Sequence, residues 1–579
     1  MRRHTISLLF ACVLLLLLAQ TAEAHAQLVR SEPAAGALLN VAPKELRLEF
    51  SEDLDPSFSR VQLFNSKNQI INAGPGLIDA AAPTVMQLAL GALPKDSYTA
   101  IWRSRSAVDG HISEGSVPFG VGVAVTTTSL IPALGAPDPA TESPPPLDAV
   151  ARWLNLLVAA IALGGLPFGA LVWRPVFRAW SATAGDGGHQ AADDALTRLI
   201  RRLILIGGGL FLLTNALFLL SQAAIAADVT LAQAFGAPAL QLLGSRTGQL
   251  ILTRVLLTLM IIGLAWRLPK AGGGAAWPWW VAIMLAGAVA LTFSLSAHGA
   301  AEEQGAALAI ALDWLHVAAM IAWLGGLIPL AFAIRIARRN PDQALPLALL
   351  IPRFSRLAVA SIATLTLSGI YSYYLHINQL DLLAATTYGR ALLIKLGLFG
   401  VLLLFGGINL FIFSPRLRSA GNQLARRFGG NVRIELVAGA LLLLAVGAMT
   451  SVAPSKTAWD QHERQGLAQT ATLGNVVLTL RVAPAQIGDN EWAVDVTDKR
   501  PGAQEAPTKV LLRFDMQGMT MGQLQSETQT TDKARYTTRG SFTSMGGRWN
   551  VEVVLRRAGF DDVTHTFQID IVRSVAQAQ

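Results

Sequence analysis

Cysteine is almost absent from this chain of 579 residues: there is one, Cys12, in an apolar stretch near the start. If that stretch is a secretory signal, the mature protein has no cysteine. Disulfide bonds and thiolate metal sites are then excluded. Any bound metal must be held by histidine, methionine, carboxylate or backbone ligands.

Charged side chains are also scarce. They make up 15% of the residues, whereas hydrophobic residues make up 52% and the mean hydropathy is +0.44. Such a chain is too apolar for a soluble protein, so several membrane spans are expected. The sequence has no glycine-rich phosphate loop and no phosphorylated-aspartate motif. Transport driven by ATP bound to this chain is therefore not expected, and neither is a nucleic-acid partner.

The first 24 residues have the form of a signal peptide. Two arginines precede an apolar run at 8–19, and the letters AEA at 22–24 give the small-x-small pattern that signal peptidase recognises. We expect cleavage after residue 24, which makes His25 the new N-terminus.

Composition divides the remaining chain into four zones. Short, partly alternating runs separated by turn residues predict a β domain, and a proline-rich linker follows it. Long apolar blocks then predict a bundle of eight transmembrane helices, and alternating runs return in a small C-terminal β-sandwich. The predicted fold is a multidomain membrane protein with an N-terminal β-sandwich at 25–125, a linker at 126–147, the bundle at 148–455 and the second sandwich at 456–579.

Basic residues are concentrated in alternate loops between the predicted spans. The loops after spans one, three, five and seven hold Arg198, Arg267, Arg335 and Arg427 among others, while the remaining loops hold few. The positive-inside rule puts the basic loops in the cytoplasm. Both terminal domains then lie outside, as a secretory signal requires, which predicts a periplasmic position at a bacterial inner membrane.

Asp109 and His111 stand two residues apart in "SAVDGHISEG". Residues at i and i+2 of a strand share a face, so we expect both side chains on one face. With the amine and ring of an N-terminal His25, they form a nitrogen-rich set that suits square-planar Cu(II). The alternatives are an accidental histidine at the cleavage point and an ordinary Asp-Gly turn.

The stretches "HAQLVRSEPAAGA" and "WRSRSAVDGHISEGSVPFGV" resemble the CopC family of periplasmic copper carriers. The resemblance implies a β-sandwich that binds Cu(II) through a processed N-terminal histidine and the Asp and His of its D-G-H motif. These roles fall here on His25, Asp109 and His111. No Cu(I) site is expected in this domain, because Met86 is its only methionine.

Further candidate ligands lie in the membrane zone. His298 stands at the outer end of span four, and "DWLHVAAMIAWLGG" opens span five with Asp313, His316 and Met320. His316 and Met320 are four residues apart and share a helical face. Ionisable groups within spans usually face the bundle interior and mark a pathway. Alternatively, Asp313 and His316 only hydrogen-bond to neighbouring helices.

The blocks "DWLHVAAMIAWLGGL", "RFSRLAVASIATLTLSGIY" and "RIELVAGALLLLAVGAMTS" resemble the CopD family of eight-span copper proteins. This resemblance implies copper uptake into the cytoplasm, with His298, His316 and Met320 along the membrane path. Arg390, Lys395 and Glu435 also lie in or near spans, where pairing between helices explains them at least as well as function.

A last methionine cluster lies in the C-terminal zone. Met516, Met519 and Met521 stand in "FDMQGMTMG", and Met545 follows. Methionine thioethers suit Cu(I), but methionines also commonly fill cores. This zone weakly resembles YtkA-like domains.

The leading hypothesis is a non-enzymatic protein that binds copper ions in the periplasm and imports or transfers them across the membrane, in homeostasis or resistance. Its expected partners are copper ions, membrane lipids and periplasmic copper chaperones. Two alternatives stay open. One is a membrane redox protein with haem held by His298 and His316, which an absorption spectrum would reveal. The other is copper-dependent oxidative chemistry at His25.

Reporter fusions test the predicted topology. A reporter active only in the cytoplasm should be active when fused after Arg427, because that loop is basic, and silent when fused after Gln579. Activity at Gln579 would mean an odd number of spans.

Overall fold

The computed structural model confirms the predicted fold class: a β-sheet domain, eight apolar helices and a second β-sheet domain follow one another along the chain. The predicted signal peptide, His25 and most of the predicted linker lie outside the residues that the structure describes. The described residues are 26, 28–34, 37–67, 69–74, 76–123, 143–182, 188–271, 276–301, 305–339, 346–377, 379–416, 422–459, 467–483, 485, 488–500, 508–516, 524–532, 535–543 and 547–571.

Two sheets form the N-terminal domain, with strand orders β1-β3-β7-β6 and β2-β9-β8-β4-β5. Alternation of buried and exposed residues, as in "ELRLEF", turns one face of each strand toward a shared core. The pairs are antiparallel except for β2 with β9. The strands are β1 Leu28–Glu32, β2 Ala37–Leu39, β3 Glu45–Phe50, β4 Arg60–Asn65, β5 Ile70–Gly74, β6 Leu77–Ile78, β7 Val85–Ala89, β8 Asp96–Arg105 and β9 Ile112–Val121.

Eight helical spans are long and apolar enough to cross a membrane, at the positions that the apolar blocks predict. Three of them contain π-helical turns, at Phe168–Trp173, Leu203–Gly207 and Ile408–Phe413. Spans one to eight are Pro146–Ser181, His189–Ala227, Arg246–Ala265, Trp277–Ser294, Ala306–Ala337, Leu347–His376, Thr387–Arg416 and Arg427–Met449.

Short helices connect some of these spans. They are Leu231–Ala234 and Ala237–Gly244 before span three, the 3-10 helix His298–Ala301 before span five, and Leu382–Ala385 before span seven. All of them lie at the end of the bundle that the alternation of spans assigns to the same side as both β domains.

Spans one and five pack backbone against backbone. A Cβ atom added to Gly325 would stand 2.1 Å from the carbonyl oxygen of Ala160, and one added to Gly164 would stand 2.3 Å from the Cα of Gly325. Glycine and alanine permit this close approach. Helices in lipid associate largely through van der Waals packing, because the lipid tails are as apolar as the side chains. The contact fixes span five, which carries His316 and Met320.

The N-terminal domain is docked on the ends of spans two and three. Arg103 donates to the carbonyl oxygens of Ile225 (2.9 Å) and Ala226 (3.0 Å), which are terminal carbonyls of span two. Arg105 donates to Thr247 Oγ1 at the start of span three (3.3 Å). Side chains of β8 thus hold the domain against the bundle.

The C-terminal domain is also built of two sheets, with orders β10-β11-β12-β16-β15 and β14-β13-β17-β18. Trp492 and Phe514 meet edge to face in its core, with ring centroids 4.8 Å apart. Its strands are β10 Leu467–Leu473, β11 Val476–Ala483, β12 Gly488–Asp498, β13 Thr508–Met516, β14 Leu524–Glu527, β15 Gln529–Asp532, β16 Arg535–Thr543, β17 Gly547–Arg557 and β18 Val563–Ile571.

The close crossing of spans one and five predicts that one methyl group added at this crossing lowers the stability of the bundle. Gly325→Ala should destabilise the bundle by about 1–3 kcal/mol, because the added Cβ overlaps the Ala160 carbonyl. Gly209→Ala is the matched control, since nothing lies within 4 Å of its Cβ position. Thermal unfolding in detergent checks both, and equal midpoints would contradict the packing argument.

Candidate metal centre

The loop between β8 and β9 holds Asp109 and His111. Ser106 N–H donates to the His111 carbonyl (2.8 Å), which closes the loop, and Asp109 Oδ1 accepts from the His111 backbone N–H (3.0 Å). The expectation of two positions on one strand was therefore wrong. A turn holds the two residues together, because aspartate side chains cap the backbone two residues further on.

Gly110 gives this turn its shape. Its φ is +77°, in the left-handed region where residues other than glycine are strained. A Cβ there would also stand 2.7 Å from Nη2 of Arg105. Arg105 is buried and paired with Asp55 (Nη1 to Oδ2, 2.6 Å). The loop therefore packs against the Arg105 guanidinium, whose positive charge is paired with the Asp55 carboxylate.

His298 reaches this loop from the membrane domain. Its Nδ1 lies 3.2 Å from Asp109 Oδ2, and His111 Nδ1 lies 3.4 Å from the same oxygen. The centroids of the two imidazole rings are 4.4 Å apart. One ligand atom from each of Asp109, His111 and His298 lies within 4.8 Å of the others, so one metal ion could be reached by all three.

The electrostatics of this group favour a divalent cation. Asp109 and His298 are buried, and burial first, then the neighbouring His111, lowers the pKa of His298. A neutral imidazole is the form that binds metal. Two imidazoles and one carboxylate suit Cu(II), with room in its coordination for a further ligand.

His25 lies outside the described residues, so its predicted role stays a prediction. The next described residue, Ala26, is buried, and its carbonyl accepts from Ser104 Oγ (3.0 Å). Ser104 belongs to β8, the strand that leads into the Asp109 loop. The chain directly after His25 is therefore fixed to that strand.

His316 is held in one orientation by span six. Its Nδ1 lies 2.8 Å from Ser368 Oγ, and that hydroxyl donates its one proton to the Thr364 carbonyl (2.7 Å). While it does so, the hydroxyl oxygen accepts from Nδ1. In that arrangement the lone pair of His316 lies on Nε2, as in metal-ligating histidines with a second hydrogen-bond partner.

Met320 is buried one turn further along span five. Three residues beyond it, Trp323 lines a cavity of about 150 Å³ between spans five, six, seven and eight. Glu435 also lines this cavity and accepts from Asn409 Nδ2 (2.6 Å). Asn409 belongs to a π-helical turn, a feature frequent at functional sites.

Other charged residues singled out in the spans have mixed surroundings, and Arg390 donates to Thr387 Oγ1 of its own span (3.1 Å). Asp313 on span five interacts electrostatically with Lys395 on span seven. Glu435 has a neutral amide as its hydrogen-bond donor. His298 contacts the β domain through Asp109, and its place on the membrane path with His316 and Met320 stays a prediction.

Sequence reasoning missed His376, the last residue of span six. Its ring centroid lies 5.9 Å from that of His298. The sequence did contain a signal for it, because the alternation of spans puts the end of span six on the same side as His298.

The predicted methionine site in the C-terminal domain stays a prediction. Met516 ends β13 with Trp549 as its register partner, while Met519 and Met521 lie outside the described residues.

Comparisons with known proteins agree on copper proteins for both parts. Residues 28–122 match the CopC domain and residues 348–449 match copper resistance protein D, CopD. The chain is 25% identical over 569 residues to the copper transport protein CutJ of Bacillus subtilis (strain 168), covering 96% of this chain and 97% of CutJ.

Shorter relatives match the N-terminal domain. Protein YobA of Escherichia coli (strain K12) is 33% identical over 99 residues, which are 17% of this chain and 79% of YobA. The crystal structure of CopC from Methylosinus trichosporium OB3b is 30% identical, covers 17% of this chain and 93% of that one, and has a TM-score of 0.16.

The shared position of Asp109 predicts that a membrane-domain residue controls binding at the β domain. His298→Ala should lower the Cu(II) affinity of the full-length protein by roughly ten-fold or more, because changes even one shell beyond a metal's ligands cost about 10–100-fold. Electron paramagnetic resonance should show one nitrogen fewer. His565→Ala, in the C-terminal domain, is the control, and equal affinities would remove His298 from the ligand set.

Proposed function

Because this chain carries a CopC domain at 28–122 and a CopD domain at 348–449, we propose that it binds copper outside the bacterial inner membrane and carries it into the cytoplasm. A CutJ-like copper transport protein is similar along nearly the whole chain. The family assignment supports copper handling, and the inward direction and the periplasmic position of both terminal domains are our proposal.

One observation carries the proposal: Asp109, His111 and His298 form a single cluster although they come from two domains. A carrier that bound copper on its own would need no membrane-domain ligand. Here the capture loop delivers its ion directly to the mouth of the bundle. Fusion of the two domains also keeps the effective concentration of carrier at the membrane high without any new contact.

The capture site works by charge and by ligand type. The Asp109 carboxylate offsets the positive charge of the ion, while neutral His111 and His298 provide nitrogen ligands. His25 is the proposed further ligand, through its amine and ring after cleavage. The fixed position of Ala26 beside Ser104 supports this role.

Below this site, we assign the path to span five. His316 presents Nε2 as its lone-pair nitrogen, and Met320 follows about 6 Å deeper at about 1.5 Å per residue. The cavity beside Trp323 and Glu435 continues the same line toward the opposite end of the bundle. The ion moves by exchange of ligands, and the chain catalyses no chemical conversion of it.

Copper ions are the cargo, membrane lipids surround the bundle, and periplasmic copper chaperones are the proposed donors. The C-terminal domain, with its YtkA resemblance and its Met516, Met519 and Met521 cluster, is proposed as a second extracytoplasmic copper-binding domain. In the proposed topology of eight spans, it lies on the same side as the N-terminal domain.

Uptake into vesicles reconstituted with the full-length protein tests this function. His316→Ala should abolish copper uptake, and Met320→Leu, a change of similar volume, should slow it without unfolding the bundle. Met284→Leu is the matched control, because Met284 is 74% exposed on the outside of span four. Protein level in the vesicles is measured in parallel.

Two results would contradict the proposal. If wild-type vesicles take up no more copper than empty ones, the protein is not a transporter. If stably inserted His316→Ala takes up copper at the wild-type rate, span five is not the path, and His316 only hydrogen-bonds to Ser368.

A further inference from the structure

We propose that His298 and His376 form a second copper site, just inside the capture site, and that His298 is the ligand shared by both. This inference rests on the proposed copper transport and adds a step to it. The ligand is Cu(II) as delivered by the capture site, so the step is an exchange of ligands that needs no electron donor.

The geometry puts His376 at the next position inward. It is the last residue of span six, and its ring stands at 73° to that of His298 with centroids 5.9 Å apart. On its other side stands Tyr388, in the first turn of span seven, with ring centroids 6.4 Å apart. His298 is therefore flanked by His111 on the capture side and His376 on the bundle side.

His376 is half-buried and makes its contacts through the faces and edges of its ring. Among the residues that the structure describes, neither ring nitrogen of His376 has a hydrogen-bond partner; its ring contacts are to His298 and Tyr388. The adjoining cluster is apolar and includes the buried Ile377 and Leu382. The ring nitrogens of His376 are therefore not used by another group in the described part of the chain, and two imidazoles at this distance can share one cation.

The two nitrogens of His298 allow it to serve both sites. Its Nδ1 faces Asp109 Oδ2, and while that N–H is held by the carboxylate, the lone pair lies on Nε2. A carboxylate that holds one imidazole nitrogen orients the ring and strengthens the other nitrogen as a ligand. In the capture site His298 uses Nδ1 and carries its proton on Nε2; in the second site it uses Nε2 together with His376, so the exchange releases the proton of Nε2 and returns one to Nδ1 beside Asp109.

Binding and uptake by one variant test the assignment. In the full-length protein, His376→Leu should leave Cu(II) affinity at the capture site within about two-fold of wild type and lower uptake at least ten-fold. His189→Leu is the matched control. His189 also packs between aromatic rings, those of Phe177 and Trp180, at the opposite end of the bundle.

A second pair of variants separates the two sites by spectroscopy. In a His111→Ala background, which weakens the capture site, part of the Cu(II) spectrum should come from His298 and His376. Adding His376→Leu should remove that part, and adding His189→Leu should not. If His376→Leu inserts poorly, His376→Gln keeps a polar side chain while removing the imidazole.

The outcomes are distinct. Uptake by His376→Leu at the wild-type rate, or an unchanged spectrum in the His111→Ala background, overturns the second site and leaves the proposed transport standing. A joint loss of capture affinity and uptake puts His376 in the capture site and also overturns it. Absence of uptake by the wild type overturns the transport function itself.

Discussion

The carboxylate of Asp109 makes contacts that connect the two copper-handling parts of the molecule. One oxygen accepts from the backbone of His111 and fixes the loop, and the other lies within 3.4 Å of His111 and His298. A buried carboxylate needs hydrogen-bond donors or a cation. Asp109 therefore requires both the folded loop and the docked membrane domain, and the proposed capture site exists only when the two are assembled.

The docking of the N-terminal domain suggests two parts of the bundle, one that holds this domain and one that forms the proposed path. Spans two and three end beneath the N-terminal domain and receive Arg103 and Arg105. Spans five to eight line the cavity and carry the ligands that we propose for the inward path. His298 lies between these halves, in the short helix that joins spans four and five. An ion passing from one half to the other meets a residue in contact with both.

Neutral ligands suit the part of the route that lies within the bundle. A buried fixed charge in a membrane is costly, and span five offers an imidazole and a thioether before the cavity that Glu435 lines. Imidazole and thioether groups bind through lone pairs, so each ligand can release the ion to the next. Asp313 interacts electrostatically with Lys395 on span seven, and His316 and Met320 are the ligands that we propose on span five.

The sequence by itself determined the three folded regions and most of the candidate ligands. Apolar length predicted eight spans, because about 20 residues are needed to cross the bilayer, and the D-G-H and "DWLHVAAM" stretches identified Asp109, His111, His316 and Met320 as candidates. Period-two alternation predicted both β domains. These signals are local, since each depends on residues that are near one another in the chain.

Only the tertiary structure decided which candidates meet. Asp109 and His298 are separated by 189 positions in the sequence, and His376 lies at the end of a later span. The periodicity of a helix or a strand relates only residues that are near in sequence, so it cannot show that these three meet. Their proximity depends on how the N-terminal domain docks on the span ends and on the Gly164–Gly325 crossing that sets span five. The expected strand at Asp109 and His111 is likewise a turn. Gly110 has a left-handed φ and lies against the side chain of Arg105, and the sequence pattern does not show this contact.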